Sequence, residues 1–375
     1  MQEPPPTPDR NAHPFHTYEM IYEIPQAIEE TIKQAKGASA AVEVLKDKAR
    51  IYFTGCGTAF FSSLLGSQIL SLSEDERRIS CVPALELQSY DYPFGKECAV
   101  IGVSHSGITK TTTDALQHAK NKGARTIGIT HFENRPISNV ADVTLVVGNG
   151  PDNSRCHTKC YETGAMACTQ LAIELLRSQG GLSNRLEQIE SELNKLPALT
   201  KKTLTGADTS CKRMAQKYEA RDSYYFAGAG PNVPNTMEAA LKIMETSFVP
   251  AQGFETEQLL HGPWVSMDKE TLLTLFAPKG PCHNRNVEVA KAAKTFGTSV
   301  VGLIEESDQE LGSLCDEVVK LPSVDEYVSP FLNIIPAYLL AYYTSIRRGN
   351  NPDMLRYTTP EYWQARNIIF PPGTH

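Results

Sequence analysis

Short apolar runs recur along the chain, each followed by a turn and then by apolar positions at helical spacing. RIYFTGCGTAFFSSLLGSQIL (50–70) begins as a β-rich run, turns at Gly55-Cys56-Gly57 and continues as an apolar helix. SYYFAGAGPNVPNTMEAALKIMETS (223–247) repeats this plan, with Gly228 lying 173 positions after Gly55. At the same displacement, SHSG (104–107) falls on APKG (277–280), and both follow apolar strands, CAVIGV and TLLTLF. RTIGIT (125–130) and TSVVGLI (298–304) come next, then ADVTLVV (141–147) and CDEVVKL (315–321). So long a period excludes a solenoid and predicts two similar α/β domains in tandem. Strand alternating with helix predicts a parallel sheet flanked by helices, doubly wound, with ligands at the carboxyl ends of its strands.

The remaining segments complete this division. Residues 1–15 are polar and Pro-rich and are expected to be disordered. Residues 18–35 read as a lead-in helix, begun or interrupted at Pro25, and 39–48 as another helix. The pattern over 180–215 is polar and helical, which predicts a link between domains. The expected boundaries are a tail with lead-in helix over 1–40, a first domain over 41–195, a second over 215–349 and a C-terminal tail over 350–375.

The stretch VIGVSHSGITKTTTDAL (100–116) carries the clearest chemical signal. Ser104, Ser106 and Thr109 crowd one strand-to-helix turn together with Gly107. A helix N-terminus offers unpaired N–H donors and partial positive charge, so the hydroxyls and amides together suit a phosphate. A single cap needs one such residue. The duplicated copy, APKG, lacks them. Gly55-Cys56-Gly57-Thr58 would form a second wall of the pocket, although Gly-x-Gly alone is weak evidence.

Composition narrows the partners. The net charge is −7 over 375 residues, which argues against nucleic acid as the main ligand. No apolar run is long enough for a membrane helix, and the first residues lack a signal-peptide core. Nine cysteines, an odd number in scattered positions, fit a reduced, cytosolic compartment. Cys156-His157-Thr158-Lys159-Cys160 is the one metal-like cluster; with no second Cys/His cluster along the chain, neither metal nor cofactor is expected.

Taken together, GCGTA (55–59), SHSGITKT (104–111), HTKCYETGAMACTQLAIELL (157–176) and EAALKIMETSFVPAQGFETEQLLHGPWVSMD (238–268) resemble the sugar isomerase (SIS) family. Within that family the set resembles the isomerase half of glucosamine-6-phosphate synthase. Amino-sugar-phosphate deaminases and fructosamine-phosphate deglycases, which lack the glutaminase half, are similar too. The resemblance implies two SIS domains over about residues 15–349. It also implies that Thr58, Ser104, Ser106 and Thr109 hold a sugar 6-phosphate beside Cys56 and Gly57. His105 stands where the synthase usually has glutamine, and His157 where it has serine. His157 would bond a sugar hydroxyl or remain a bystander.

Glu245 lies in a mostly apolar helix, where desolvation raises a carboxyl pKa and suits it to act as a general base. Pairing with Lys242 or Lys159 is the alternative. The resemblance makes Glu245 the group that moves a proton between C1 and C2. It makes His261, ahead of Gly262-Pro263, the group that opens the ring. That histidine would come from the neighbouring subunit of a homodimer with shared sites. Glu257 would orient His261 or contact the sugar, and Trp264 would pack.

One departure matters. After Arg366-Asn367 the synthase carries a lysine that forms a Schiff base; here the position holds Phe370, and no lysine follows Lys320. No cysteine nucleophile stands at the start, so no ammonia from glutamine is expected. The reading therefore favours an enzyme, an amino-sugar-6-phosphate deaminase/isomerase with a glucosamine 6-phosphate-like substrate. A fructosamine-phosphate deglycase, a synthase-type subunit fed with ammonia by another chain, and a non-catalytic phosphosugar-binding protein stay open.

Overall fold

The computed structural model describes residues 8–35, 38–72, 76–180 and 182–371. The first five strands are β1 (Arg50–Thr54), β2 (Arg78–Cys81), β3 (Cys98–Val103), β4 (Arg125–Thr130) and β5 (Val143–Val146). They form one sheet in the order β2-β1-β3-β4-β5, and every pairing is parallel. The next five are β6 (Ser223–Gly228), β7 (Ala251–Glu255), β8 (Thr271–Ala277), β9 (Ser299–Glu305) and β10 (Glu317–Leu321). Their order, β10-β9-β8-β6-β7, is the same arrangement read from the other edge, again all parallel. The structure thus has the two doubly wound α/β sheets expected from the repeat. β3 and β8 are buried at every position, because helices cover both faces of each sheet.

A single apolar cluster runs through the inner faces of both sheets, from Ile21 and Ile101 to Phe276 and Tyr342. Smaller clusters lie under the outer helices of each sheet. The central helices are Thr158–Ser178, Leu196–Tyr218, Val233–Ser247 and Pro330–Arg347. The first of these buries nearly all its residues, as a helix wedged between layers must.

Three expectations change. Residues 180–215 do more than tether the domains. Leu204, Ala207, Cys211, Met214 and Tyr218 make an apolar stripe at helical spacing that packs Leu196–Tyr218 against Pro330–Arg347. Pro25 neither starts nor breaks its helix, which runs unbroken over His16–Ala35 with Ile21, Ile24 and Ile28 buried around it. The second helix is shorter than expected, Ser39–Leu45.

Of the segment expected to be disordered, residues 1–7 lie outside the described residues, and 8–15 are anchored. Phe15 is buried, the His13 ring lies 2.8 Å from the Tyr342 hydroxyl and Arg10 pairs with Glu19 at 2.9 Å. The Asp353 carboxylate accepts from the backbone N–H groups of His16 and Thr17 at 2.8 and 2.7 Å. A carboxylate from the far end of the chain thus caps the lead-in helix, a favourable use of its dipole. Among the described residues no helix is long and apolar enough to cross a membrane.

Gly253 on β7 lets the helix Val233–Ser247 approach the sheet. A Cβ there would sit 2.2 Å from the Thr236 carbonyl oxygen, a backbone atom. Gly253→Ala is therefore expected to destabilise the protein by about 1–3 kcal/mol. The measurement is the urea midpoint, which should fall while the slope stays unchanged.

Candidate functional site

In the first sheet the strand order reverses between β1 and β3. The loops after these two strands therefore flank the crevice where ligands of open α/β sheets bind. These are the Gly55–Thr58 and Ser104–Thr109 loops, and the Cys56 sulfur lies 3.7 Å from the Thr112 hydroxyl in the helix Lys110–Asn121 that follows the second. Gly107 has φ of +68°, and a Cβ there would meet the Arg135 side chain at 2.6 Å, so the turn requires glycine.

Thr109 stands at the N-cap of Lys110–Asn121 but makes no side-chain cap bond. Instead the buried Ser104 hydroxyl donates to the Thr109 hydroxyl at 3.2 Å, and the Ser106 hydroxyl accepts from the Ile108 N–H at 3.4 Å. The hydroxyls gather at the turn, and the first-turn N–H groups stay free of a side-chain cap. This arrangement suits an anion.

Thr58 faces the second domain rather than this loop. Its hydroxyl donates to Glu238 Oε2 at 3.0 Å and accepts from Lys242 Nζ at 3.0 Å. Glu238, Lys242 and Glu245 lie one helical turn apart along Val233–Ser247, so they share a face. Lys242 Nζ is 3.3 Å from Glu238 Oε1 and 2.8 Å from Glu245 Oε2, and it also donates to the Cys156 carbonyl. Glu238 and Lys242 are buried, whereas Glu245 keeps 25% of its side chain exposed.

Pairing with Lys242 is thus one of the two arrangements expected for Glu245. Lys159 bonds Glu23 at 2.7 Å and the Pro151 carbonyl at 2.8 Å instead. With all three groups ionised, the buried trio would carry a net negative charge. Burial pushes Glu238 up to about 7, against the pull of Lys242. Burial raises Glu245 as well, again opposed by Lys242. Lys242 is held firmly protonated by the two carboxylates, although burial opposes it.

The other candidates fall into two groups. The His105 ring turns inward, its Nδ1 lying 2.8 Å from Cys160 Sγ, and the His157 ring is 5.0 Å from it. His157 adopts a left-handed φ of 50° at the start of Thr158–Ser178. His261 and Glu257 lie on the second domain, 3.2 Å apart, with Arg285 clamping Glu257 at 2.7 and 2.9 Å. His261 is 71% exposed and makes no hydrogen bond to the Glu238–Glu245 group within one chain. Trp264 meets Phe296, with ring centroids 6.0 Å apart.

Glu238 and Arg285 lie outside the linear reading, which weighs Lys242 only as a partner of Glu245. The Glu-x-x-x-Lys-x-x-Glu spacing over 238–245 holds the signal for Glu238. In the second sheet the equivalent loops line an open cleft with Gly230, Asn232, Lys279 and His283, without the three hydroxyls.

The SIS domain profile matches residues 44–174 and 218–348, one segment for each sheet. The chain belongs to the SIS domain family. Glutamine–fructose-6-phosphate aminotransferase [isomerizing] of Thermococcus kodakarensis is 30% identical over 355 residues, covering 93% of this chain and 58% of that protein. The Pyrococcus horikoshii protein of the same name is 30% identical over 343 residues, covering 90% and 55%. This SIS chain therefore spans little more than half the length of the curated relatives it matches. Two solved structures share its fold. The C-terminal domain of glucosamine-fructose-6-phosphate aminotransferase from Francisella tularensis aligns at a TM-score of 0.84 with 20% identity, covering 92% of this chain and all of that one. Glucosamine-6-phosphate deaminase from Thermotoga maritima aligns at 0.72 with 21% identity, covering 90% and 97%.

The raised Glu238 sets a pH dependence. A carboxyl whose pKa rises on folding, here from 4.5 to about 7, contributes stability below 4.5 that is lost as pH rises through 7. Relative to Glu238→Gln, the wild-type SIS chain should lose thermal stability across that window. Parallel curves of thermal midpoint against pH for the two proteins would exclude this account.

Proposed function

We propose that this chain is an amino-sugar-phosphate deaminase/isomerase whose substrate resembles glucosamine 6-phosphate. The observation that carries the reading is Glu245. It is partly open, raised by burial and held by a buried ammonium, on the helix that packs against the first-domain helix beginning at Thr58. A carboxyl raised in this way is suited both to accept and to donate a proton.

In this reading Ser104, Ser106, Thr109 and the first-turn amides of Lys110–Asn121 hold the phosphate, with Cys56 and Gly57 on the opposite wall. Glu245 takes the C2 proton of the open-chain amino aldose and returns it to C1. The resulting imine at C2 takes up water and releases ammonia, leaving a ketose phosphate. The curated relatives' name includes an isomerizing step on fructose 6-phosphate, and one structural neighbour is named as a deaminase. Both agree with C1–C2 proton transfer.

Lys242 holds Glu245 in place rather than attacking the sugar. A Schiff base needs a neutral amine, and this one is an ammonium surrounded by oxygen partners. Where the resemblance expects a tail lysine, Phe370 closes the helix Pro360–Ile369. The Arg356 guanidinium stacks on Phe248 at 4.6 Å, just past the end of the Glu245 helix. These features favour ammonia release without a covalent lysine.

The first test gives glucosamine 6-phosphate to the purified chain and follows ammonia and fructose 6-phosphate together. Equal amounts of both are expected. Tight binding without turnover would replace the proposal with a binding role. Glu245→Gln should lower turnover by about 10²–10⁴-fold with little change in phosphosugar affinity. Ser104→Ala with Ser106→Ala should weaken that affinity at least about tenfold.

We place His261 in the site of a partner subunit, where it opens the ring and Glu257 orients it. Its exposure, with Glu257 as its hydrogen-bond partner rather than Glu245 within one chain, supports this placement. Mixing inactive Glu245→Gln and His261→Asn chains should then restore about a quarter of wild-type activity through mixed dimers. No recovery after verified subunit exchange would put His261 in its own chain's site or outside the chemistry.

A further inference from the structure

Beneath the hydroxyl loop the fold gathers side chains that the proposed reaction does not need. Besides the short contact between His105 Nδ1 and Cys160 Sγ, the His131 ring packs edge-on against His105 with centroids 4.2 Å apart. Asp152 Oδ2 lies 3.4 Å from the Cys160 sulfur. One ring nitrogen each of His105 and His131 and the Cys160 sulfur all lie within 4.8 Å of one another. So do a carboxylate oxygen of Asp152, a ring nitrogen of His157 and the same sulfur. We propose that this cluster is a binding site for a divalent transition ion of the zinc type, with Cys160, His105 and His131 as ligands and Asp152 completing the set.

The geometry fits such an ion. A tetrahedral site with metal–sulfur bonds of about 2.3 Å and metal–nitrogen bonds of about 2.0 Å spaces its donor atoms about 3.3–3.7 Å apart. The His105–Cys160 and Asp152–Cys160 contacts of 2.8 and 3.4 Å lie near that range, and the nitrogens of His105 and His131 lie within 4.8 Å of each other and of the sulfur. A sulfur, two imidazoles and a carboxylate select zinc or cobalt over magnesium or calcium, which take oxygen ligands.

The surroundings fit as well. The Thr163 hydroxyl lies 2.6 Å from His131 Nε2 and the Gly150 carbonyl 3.3 Å from its Nδ1; an ion bound through one of these nitrogens would replace that contact, and the other contact would keep the ring oriented. Asp152 Oδ1 accepts from the Ser154 hydroxyl and N–H, and Oδ2 accepts from the Lys159 N–H. The Lys159 ammonium points away to Glu23, so it does not compete for the cluster.

The linear sequence offered only Cys156, His157 and Cys160. In the fold Cys156 turns away toward the Thr17 hydroxyl at 3.5 Å, while β3 and β4 deliver the two histidines. The ion would tie the loop bearing Ser104 and Ser106 to the start of Thr158–Ser178. It would order the phosphate loop from below and take no part in proton transfer.

The test needs no substrate, so it stands apart from the proposed reaction. The chain is stripped with a chelator, incubated with zinc sulfate, freed of excess by gel filtration and analysed for metal content. One zinc per chain is expected, with a raised thermal midpoint, and Cys160→Ser and His131→Ala should each lose it. Reconstitution with cobalt(II) should give thiolate-to-metal charge-transfer absorption in the wild type, absent in Cys160→Ser. Wild-type chain that stays folded and retains no zinc would overturn the proposal, whatever the variants do. So would a cobalt spectrum unchanged in Cys160→Ser, which would assign the metal to other thiols.

Discussion

The buried ammonium of Lys242 is the constraint around which the two domains are arranged. An isolated charge in such a place costs several kcal/mol, and truncating a paired one costs about 3–5 kcal/mol because the remaining charges lose their counterpart. Four oxygen partners surround this ammonium. Glu238 and Glu245 come from its own helix, while the Thr58 hydroxyl and the Cys156 carbonyl come from the first domain. The ion therefore sets how closely the helix Val233–Ser247 approaches the loops of the first sheet. It also tunes the proton affinity of the two carboxylates, since desolvation raises each and the same positive charge opposes that rise.

Around this point the duplication has diverged in a physically sensible way. Both sheets have the same strand order and both present two loops at the reversal point. The first copy keeps hydroxyls and a glycine turn at its loop, features suited to an anion. In the second copy the corresponding loop is Ala277-Pro278-Lys279-Gly280, and the helix after β6 carries the Glu-Lys-Glu face instead. One copy carries a hydroxyl-rich turn and the other a buried face of two carboxylates and an ammonium, and a shared apolar core makes them a single body.

The chain ends reinforce that body. Asp353 caps the lead-in helix, and His13 and Phe15 pack on Tyr342. The Pro360–Ile369 helix then leaves Ile368 and Ile369 exposed. Anchoring at 8–17 was invisible in the sequence, because composition reports only local propensity, whereas the anchor is a carboxylate more than 330 positions away.

The sequence by itself determined the tandem α/β plan and the hydroxyl loop. A strand buried on both faces and a helix N-terminus leave local patterns, and the repeat displays them twice. It also marked Glu245, a carboxylate set among apolar positions of its helix. Only the tertiary structure decided which charges meet. Thr58 turned toward Glu238, Lys242 took Glu245 while Lys159 took Glu23, and His105 and His131 met Cys160. Each of these pairings crosses from one element to another distant in sequence, where no periodicity records it. Each follows from burial, which forces every polar group carried into the core to find a partner there.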